Sequence, residues 1–301
     1  MDEQRCDRRD FLRLAGLGSV VFASGLAGGC ASPGSGARNE DFHFVQLTDV
    51  HWGYNNPKVN PDHENTMRKT VAAVNALQQQ PDFVVFTGDL TQTTDDPKVR
   101  RQRLREFRDQ AAGLRVSKVY FFAGEHDASL DRGEAYQEIF GGPMHYAFDH
   151  RGLHFIVLDN TSDPAPILGE KQIGWLRTHL ASRDRSAPIV ILTHRPLFPL
   201  LPQWDWNTRD GAAAIELLMP FKDVTVFYGH IHHEHHHRTG HIEHHAAMSP
   251  MFPLSPVGTA PQKTQLPWDA AQPYKGLGFR TVQTRRSDSS YGIAEISLAK
   301  A

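Results

Sequence analysis

The sequence has little cysteine, no excess of either charge and no apolar run long enough for a resident membrane-spanning helix. Two cysteines among 301 residues exclude a disulfide framework. The 32 basic and 34 acidic side chains nearly cancel, so nucleic acid binding is not expected. The longest apolar stretch, Leu14 to Ala27, is short and rich in glycine. With 40% hydrophobic residues, the chain is expected to form a packed core.

The first residues are typical of an export signal. Arg8 and Arg9 precede Phe11-Leu12 and a weakly hydrophobic stretch, a pattern that matches twin-arginine signal peptides and is predicted to cover residues 1–29. The sequence therefore predicts the twin-arginine translocase as a partner during export. It also predicts a periplasmic or other extracytoplasmic location.

The residues after this signal predict a lipid anchor and a tether. Leu26 to Cys30 is similar to a lipoprotein cleavage box, in which Cys30 would become the acylated first residue and attach the protein to a membrane. Cleavage by an ordinary signal peptidase near Ala31 is the alternative. Residues 30–41 are rich in Ser, Gly and Pro and predict a flexible tether, and residues 42–301 are expected to form one domain.

Short β-prone runs alternate with amphipathic stretches after the tether, which predicts a layered α/β domain. The C-terminal part changes character, because a Pro-rich stretch from Pro250 to Pro273 predicts a long surface loop. The predicted strands are Phe42–Leu47, Asp82–Phe86, Lys118–Phe122, Leu153–Leu158, Pro188–Leu192, Val224–Tyr228, Ile242–Ala247 and Tyr291–Leu298. Four helices are predicted around Met67–Leu77, Leu104–Ala111, Glu170–Leu180 and Gly211–Met219.

Possible metal ligands stand at the carboxyl ends of five predicted strands. Because these ends form the ligand crevice of an open α/β sheet, five loops would bring carboxylates and imidazoles to one place. Such a mixture of oxygen and nitrogen ligands suits divalent ions. A single Asp or His at a strand end is more often a cap or a packed residue, but five such ends in one chain favour a site. The residues are Asp49, His51, Asp89, Glu125, His126, Asp127, His194, His230 and His232.

This ordered set of motifs resembles the calcineurin-like metallophosphoesterase family from about Phe42 to about Met248. The resemblance implies a four-layered αββα sandwich that hydrolyses a small phosphoester by a hydroxide bridging two metal ions. The ions would be divalent or of mixed valence, with Fe, Mn and Zn as candidates. By this resemblance, Asp49, His51 and His232 hold the first ion, Glu125, His194 and His230 hold the second, and Asp89 bridges both.

The resemblance also implies roles for the two residues that follow Glu125. His126 would protonate the leaving oxygen or stabilise charge on the phosphoryl group, and Asp127 would orient its ring.

Glu125 departs from the family pattern, in which Asn stands in the motif Gly-Asn-His-Asp/Glu. A carboxylate keeps the ligand oxygen but adds a negative charge, which removes the net positive charge of the binuclear centre. A dianionic phosphate monoester loses more attraction from this change than a monoanionic diester. The substitution therefore favours a diester substrate or slow turnover. Alternatively, the replacement of Asn by Glu at this position has no effect on the chemistry.

Histidine is abundant, with nine of the 18 histidines between His230 and His245. Thr239-Gly240 divides the later ones into two β-prone arms, which predicts a hairpin. The hairpin could capture zinc, copper or nickel, or its histidines could have no role. The alternative function is thus a non-catalytic or weakly catalytic periplasmic metal-binding protein that uses this hairpin. Trp204, Trp206 and Arg209 could form a lid, with Arg195 as a phosphate contact, or could simply pack.

Overall fold

The computed structural model describes residues 41–285 and 291–300 and contains two β-sheets with helices on their outer faces. The predicted export signal and nearly all of the tether lie outside the described residues. The strands are β1 (His43–Leu47), β2 (Phe83–Thr87), β3 (Val119–Phe122), β4 (Tyr146–His150), β5 (Leu153–Leu158), β6 (Ile189–Thr193), β7 (Val224–Tyr228), β8 (His235–Thr239), β9 (Ile242–Ala246), β10 (Gly278–Thr284) and β11 (Tyr291–Ser297). The α-helices are α1 (His63–Asn75), α2 (Pro97–Ala111), α3 (Glu125–Ala128), α4 (Glu134–Phe140), α5 (Gly169–Ala181) and α6 (Gly211–Leu218).

Both sheets combine parallel and antiparallel strand pairs. The first has the order β11-β10-β1-β2-β3, in which β1, β2 and β3 are parallel. The second has the order β4-β5-β6-β7-β9-β8. In this sheet β5, β6, β7 and β9 are parallel, and the edge strands β4 and β8 are antiparallel to their neighbours. Parallel neighbours place their carboxyl ends at the same edge, which is where the predicted ligands follow the strands.

Aromatic packing joins the two sheets. Phe44 and Phe83 of the first sheet stack with ring centroids 4.9 Å apart, and Phe155 of the second sheet meets Phe83 edge to face at 5.4 Å. These side chains are fully buried, so this inter-sheet layer excludes water. Alternating residues of each strand face this layer, and the others face the helices.

The helices cover the outer faces as the periodicity predicts. Met67 of α1 and Leu104 of α2 pack on the first sheet, and Leu176 of α5 and Leu218 of α6 pack on the second. Helix, sheet, sheet and helix form the predicted αββα sandwich. In the part of the chain that the structure describes, we find no helix with the length and apolar character to cross a bilayer.

The Pro-rich stretch is not simply a surface loop, contrary to the prediction. Its first part is buried, including Met251, Phe252 and Leu254, whereas most of its remainder is exposed. Strand β10, which follows it, is an unpredicted strand that pairs with β1. The first part of the stretch is buried because it packs into the apolar cluster of the second sheet, where Phe252 also contacts His232.

Candidate metal centre

Hydrogen bonds between neighbouring loops hold the strand ends together. The N–H of Asp49 donates to the Gly88 carbonyl at 3.0 Å, and the N–H of Gly229 donates to the His194 carbonyl at 2.9 Å. Across the two sheets, both carboxylate oxygens of Asp49 accept the N–H of His230, at 3.1 and 2.9 Å. The loops of both sheets therefore form one connected site.

Five of the predicted ligands have left-handed backbone conformations. Such a conformation costs a residue other than glycine on the order of 1 to 3 kcal/mol and commonly marks a functional site. The surrounding packing offsets this cost, because each of the five side chains is almost completely buried. The residues are Asp49 (φ 54°), His51 (φ 47°), Asp89 (φ 49°), His230 (φ 70°) and His232 (φ 59°).

Two glycines of the motifs permit this close approach of loops. A Cβ on Gly124 would lie 2.1 Å from Asp89 Oδ1, and a Cβ on Gly229 would lie 1.9 Å from Thr48 Oγ1. Any larger residue at either position would displace a predicted ligand loop.

The first ligand group, a cluster of donor atoms, contains Asp49, His51 and His232, the residues predicted to hold the first ion. One donor atom from each lies within 4.8 Å of the others. The Nδ1 of His232 donates to the Phe252 carbonyl at 2.7 Å, so its Nε2 is free to bind a metal. That Nε2 is 3.4 Å from Asp49 Oδ1 and 3.1 Å from His51 Nε2.

The second ligand group contains Glu125, His194 and His230, the residues predicted to hold the second ion, together with the predicted bridge Asp89. The Nδ1 of His194 donates to the Thr87 carbonyl at 2.8 Å, which leaves its Nε2 directed at the site. Glu125 Oε2 is 2.8 Å from His194 Nε2, and Glu125 Oε1 is 2.9 Å from His230 Nδ1. Both oxygens of the unusual glutamate therefore face ligand nitrogens.

Asp89 lies between the two groups. Its Oδ2 is 3.6 Å from His51 Nε2 and 3.4 Å from His194 Nε2, while its Oδ1 accepts the N–H of His126 at 2.9 Å. A carboxylate in this position can be shared by two ions, as the resemblance implies for Asp89.

The donor atoms fit divalent ions. Glu125 Oε2, His194 Nε2 and His230 Nδ1 are buried and make no regular hydrogen bond with any described residue, although they lie close to other donor atoms of the site. Buried polar atoms without regular hydrogen bonds are costly, and their convergence is typical of a cation-binding site. Burial lowers the pKa of His194, but the charges of Asp89 and Glu125 raise it more, so this pKa lies well above its usual range. A proton and a metal ion therefore compete for the same place.

A buried cation accompanies Glu125. Burial raises the pKa of the Glu125 carboxyl, but Arg195, His230 and His194 outweigh burial and hold this pKa well below its usual range. Arg195 Nη2 is 3.6 Å from Glu125 Oε1, and its Nη1 donates to Asp205 Oδ2 at 2.6 Å. Glu125, Arg195 and Asp205 together remain net negative, so Arg195 only partly offsets the charge that Glu125 adds to the centre.

Asp205 is a supporting residue that the sequence analysis missed. Its backbone carbonyl accepts the Nε2–H of His230 at 3.0 Å, which directs His230 Nδ1 toward Glu125. The flanking Trp204 and Trp206 are buried and meet edge to face at 4.9 Å, so they pack rather than form a lid. A contact made by a backbone carbonyl leaves no signature in the residue type.

The structure contradicts the prediction that Asp127 orients the ring of His126. Asp127 accepts the backbone N–H groups of Leu90 at 2.9 Å, Thr91 at 2.8 Å and Gly124 at 2.9 Å. Consecutive residues of a helix point about 100° apart, so in α3 the Asp127 side chain turns inward while His126 faces the cleft. Asp127 therefore connects the loop that carries Asp89 to the turn at Gly124.

The ring of His126 is oriented by a backbone group instead. The N–H of Thr93 donates to His126 Nδ1 at 3.2 Å, so the neutral ring carries its proton on Nε2. That Nε2 is 3.9 Å from Asp89 Oδ2. His126 thus directs a hydrogen-bond donor toward the predicted metal site.

The predicted His-rich hairpin is present, with β8 antiparallel to β9. Its histidines make structural contacts: His237 stacks on Phe198 at 3.8 Å, His235 meets the Tyr228 hydroxyl at 2.9 Å, and His244 is fully buried. Within residues 41–285 and 291–300, every group of three or more clustered donor atoms lies at the strand ends and none in the hairpin.

A cavity of about 240 Å³ opens beside the two ligand groups. Glu125, His126 and His232 form its base on the ligand side. Phe252, Leu254, Lys263 and Gln265 of the Pro-rich stretch also line it.

A family model described as calcineurin-like phosphoesterase matches residues 42–234. This chain belongs to the calcineurin-like phosphoesterase family. The matched range begins just before β1, ends just before β8 and contains every predicted metal ligand. Members of this family use two divalent metals, and the two ligand groups here fit that use.

Individual proteins similar to this calcineurin-like phosphoesterase share low sequence identity with it and match only part of the chain. A serine/threonine-protein phosphatase from Danio rerio is 28% identical over 55% of this chain and 58% of its own length. A cAMP/cGMP dual specificity phosphodiesterase from Mycobacterium tuberculosis is 28% identical over 57% of this chain and 55% of its own length. The chain thus spans little more than half the length of either relative.

Among solved structures, a purple acid phosphatase from yellow lupin seeds has the same fold. The superposition has a TM-score of 0.63 at 17% identity and covers 89% of this chain and 53% of the lupin chain.

Proposed function

We propose that this protein is a metal-dependent hydrolase of small phosphoesters. The observation that carries the proposal is the pair of buried ligand groups, with Asp89 between them and donor atoms that converge on one another. Asp49, His51 and His232 would hold one ion, and Glu125, His194 and His230 would hold the other. Backbone carbonyls orient His194, His230 and His232, so the metal-binding nitrogens of these three residues are fixed before a metal arrives.

The chain's own residues have defined tasks in such a reaction. Two divalent ions bound at this site would lower the pKa of a water molecule and stabilise negative charge on the phosphoryl oxygens. His126, whose Nε2–H faces the cleft, would donate a hydrogen bond to a phosphoryl or leaving oxygen. The tautomer set by Thr93 favours a neutral donor over a proton-donating imidazolium.

We further propose a preference for diesters over monoesters. Glu125 directs both oxygens at the second ligand group, and Arg195 beside it is paired with Asp205. The centre is thus less positive than one with Asn at this position, which disfavours a dianionic monoester more than a monoanionic diester. The phosphodiesterase named among the relatives is consistent with this preference.

Assays with paired substrates test the activity and the preference together. The purified protein is loaded separately with Mn, Fe or Zn and given bis-p-nitrophenyl phosphate or p-nitrophenyl phosphate. Hydrolysis that depends on added metal, with a higher kcat/KM for the diester, is the expected result. Two bound metals without turnover of either ester would instead support the non-catalytic alternative.

Glu125→Asn should raise the monoester-to-diester ratio of kcat/KM. The variant restores positive charge without removing a ligand oxygen, and the second unit of charge on a monoester makes the expected gain about fivefold in a water-filled cleft. Affinity for the second metal should fall. Glu125→Gln is the matched control, because it removes the same charge and retains side-chain length. A flat or falling ratio in both variants, with two metals bound, would show that Glu125 does not act through charge.

We also propose export by the twin-arginine route to the periplasm, with attachment to the membrane through an acylated Cys30. This route carries folded proteins, which suits a site that is loaded with metal before export. Replacing Arg8 and Arg9 together with Lys should leave uncleaved precursor inside the cell, as measured by fractionation and blotting. Normal export of the double variant would exclude the route, and an unmodified mature N-terminus in mass spectrometry would exclude the anchor.

A further inference from the structure

The segment of residues 251–266 adds a wall to the cleft from outside the range that matches the family. The family match ends at residue 234, whereas Phe252, Leu254, Lys263 and Gln265 all line the cavity beside the metal ligands. This wall therefore comes from residues outside the shared motifs.

The 251–266 segment is held in place by its own contacts. The N–H of Ser255 donates to the Thr264 carbonyl at 2.9 Å, and the N–H of Leu266 donates to the Pro253 carbonyl at 3.0 Å. The Tyr54 hydroxyl donates to Gln265 Oε1 at 2.8 Å. These bonds make the segment a short two-armed structure, in which Lys263 directly precedes the paired residue Thr264.

The base of the segment contacts the ligands directly. The ring of Phe252 lies 4.4 Å from the ring of His232 and 4.9 Å from that of His51, and its carbonyl accepts the His232 Nδ1–H. The position of the segment is thus coupled to the first group of metal ligands.

Lys263 is a cation that lines this cleft and has no ion-pair partner among the described residues. Its side chain is exposed and forms no ion pair or hydrogen bond with any residue in the described ranges 41–285 and 291–300. Arg195, the cation nearest Glu125, is committed to Asp205. Lys263 is therefore the positive group that a substrate in the cavity would meet.

We propose that Lys263 is a specificity-determining residue that binds an anionic oxygen of the phosphoester substrate. This inference rests on the proposed function. The centre loses its net positive charge through Glu125, and a flexible ammonium group at the rim returns a positive charge where the substrate enters. The oxygen belongs either to the reacting phosphoryl group or to a second anionic group on the ester arm.

Lys263→Met and the matched control Lys275→Met test this inference. Lys275 is an exposed lysine beyond the same Pro-rich stretch that does not line the cavity. The substrates are the diesters methyl phenyl phosphate and methyl 4-carboxyphenyl phosphate, which differ by one anion on the arm. Lys263→Met should raise KM about fivefold with little change in kcat, and Lys263→Arg should retain most of the affinity. Equal increases in KM for both substrates indicate that Lys263 binds the phosphoryl group. A larger increase in KM for the carboxylated ester indicates that it binds the anion on the arm.

A binding measurement separates this inference from the proposed function. Calorimetry measures how tightly the metal-loaded protein binds inorganic phosphate and 4-carboxyphenyl phosphonate. The weaker binding of at least one ligand by Lys263→Met would support a role for Lys263 even if the protein turned over neither substrate. Unchanged KM and unchanged binding of both ligands in Lys263→Met, or equal losses in Lys275→Met, would overturn the inference and leave the metal site untouched.

Discussion

Asp89→Asn is expected to lose bound metal and phosphoesterase activity together. Asp89 Oδ2 lies between a histidine of each ligand group, so its charge is the one that both ions would share. An amide is a neutral and weaker ligand, and loss of the shared charge should reduce kcat/KM by at least about 10³-fold. Metal content by mass spectrometry and kcat/KM with bis-p-nitrophenyl phosphate measure the two effects.

Asp95→Asn is the control for this variant. Asp95 is an exposed carboxylate on the loop that follows Asp89, and the variant removes the same charge without touching the ligand groups. It should keep both metals and normal activity. Retention of two metals by Asp89→Asn would contradict the bridging role.

His126→Ala should keep its metals and lose turnover by roughly 10² to 10⁴, the usual contribution of a positioned donor or acid. The imidazole faces the cleft and belongs to neither of the two ligand groups described above, although it forms a third cluster of donor atoms with His51 and Asp89. Its Nδ1 accepts the Thr93 N–H. Metal content and kcat are measured on the same preparation.

His126→Gln distinguishes the two chemical roles of this ring. A glutamine amide can donate a hydrogen bond but cannot supply a proton. If His126 acts as a neutral donor, the Gln variant should retain clearly more activity than the Ala variant. Equal losses in both variants would favour proton transfer, and loss of metal in either would assign His126 to the ligands.

The sequence predicted the layers of the fold and the convergence of the ligands. Buried parallel strands appear as continuous apolar runs, as in Leu153–Leu158 and Val224–Tyr228, whose bounds the structure confirms. The carboxyl ends of such strands meet at one edge, so residue types at those ends are informative even without coordinates.

Other features depend on contacts that residue type does not encode. Asp205 acts through its carbonyl, Thr93 acts through its N–H, and neither is marked by its side chain. Asp127 was assigned to His126 because the two are adjacent in sequence, but helical geometry turns them apart. The buried first part of the Pro-rich stretch was not predicted, because proline indicates irregular structure but not whether that structure is buried.

Crystallography of the metal-loaded protein tests the central claim most directly. Anomalous difference maps recorded with manganese should show two peaks, roughly 3.5 to 4 Å apart, with Asp89 between them. One peak should contact His51 and His232, and the other should contact His194, His230 and Glu125. A single peak, or peaks in the His-rich hairpin instead of at the strand ends, would contradict the account.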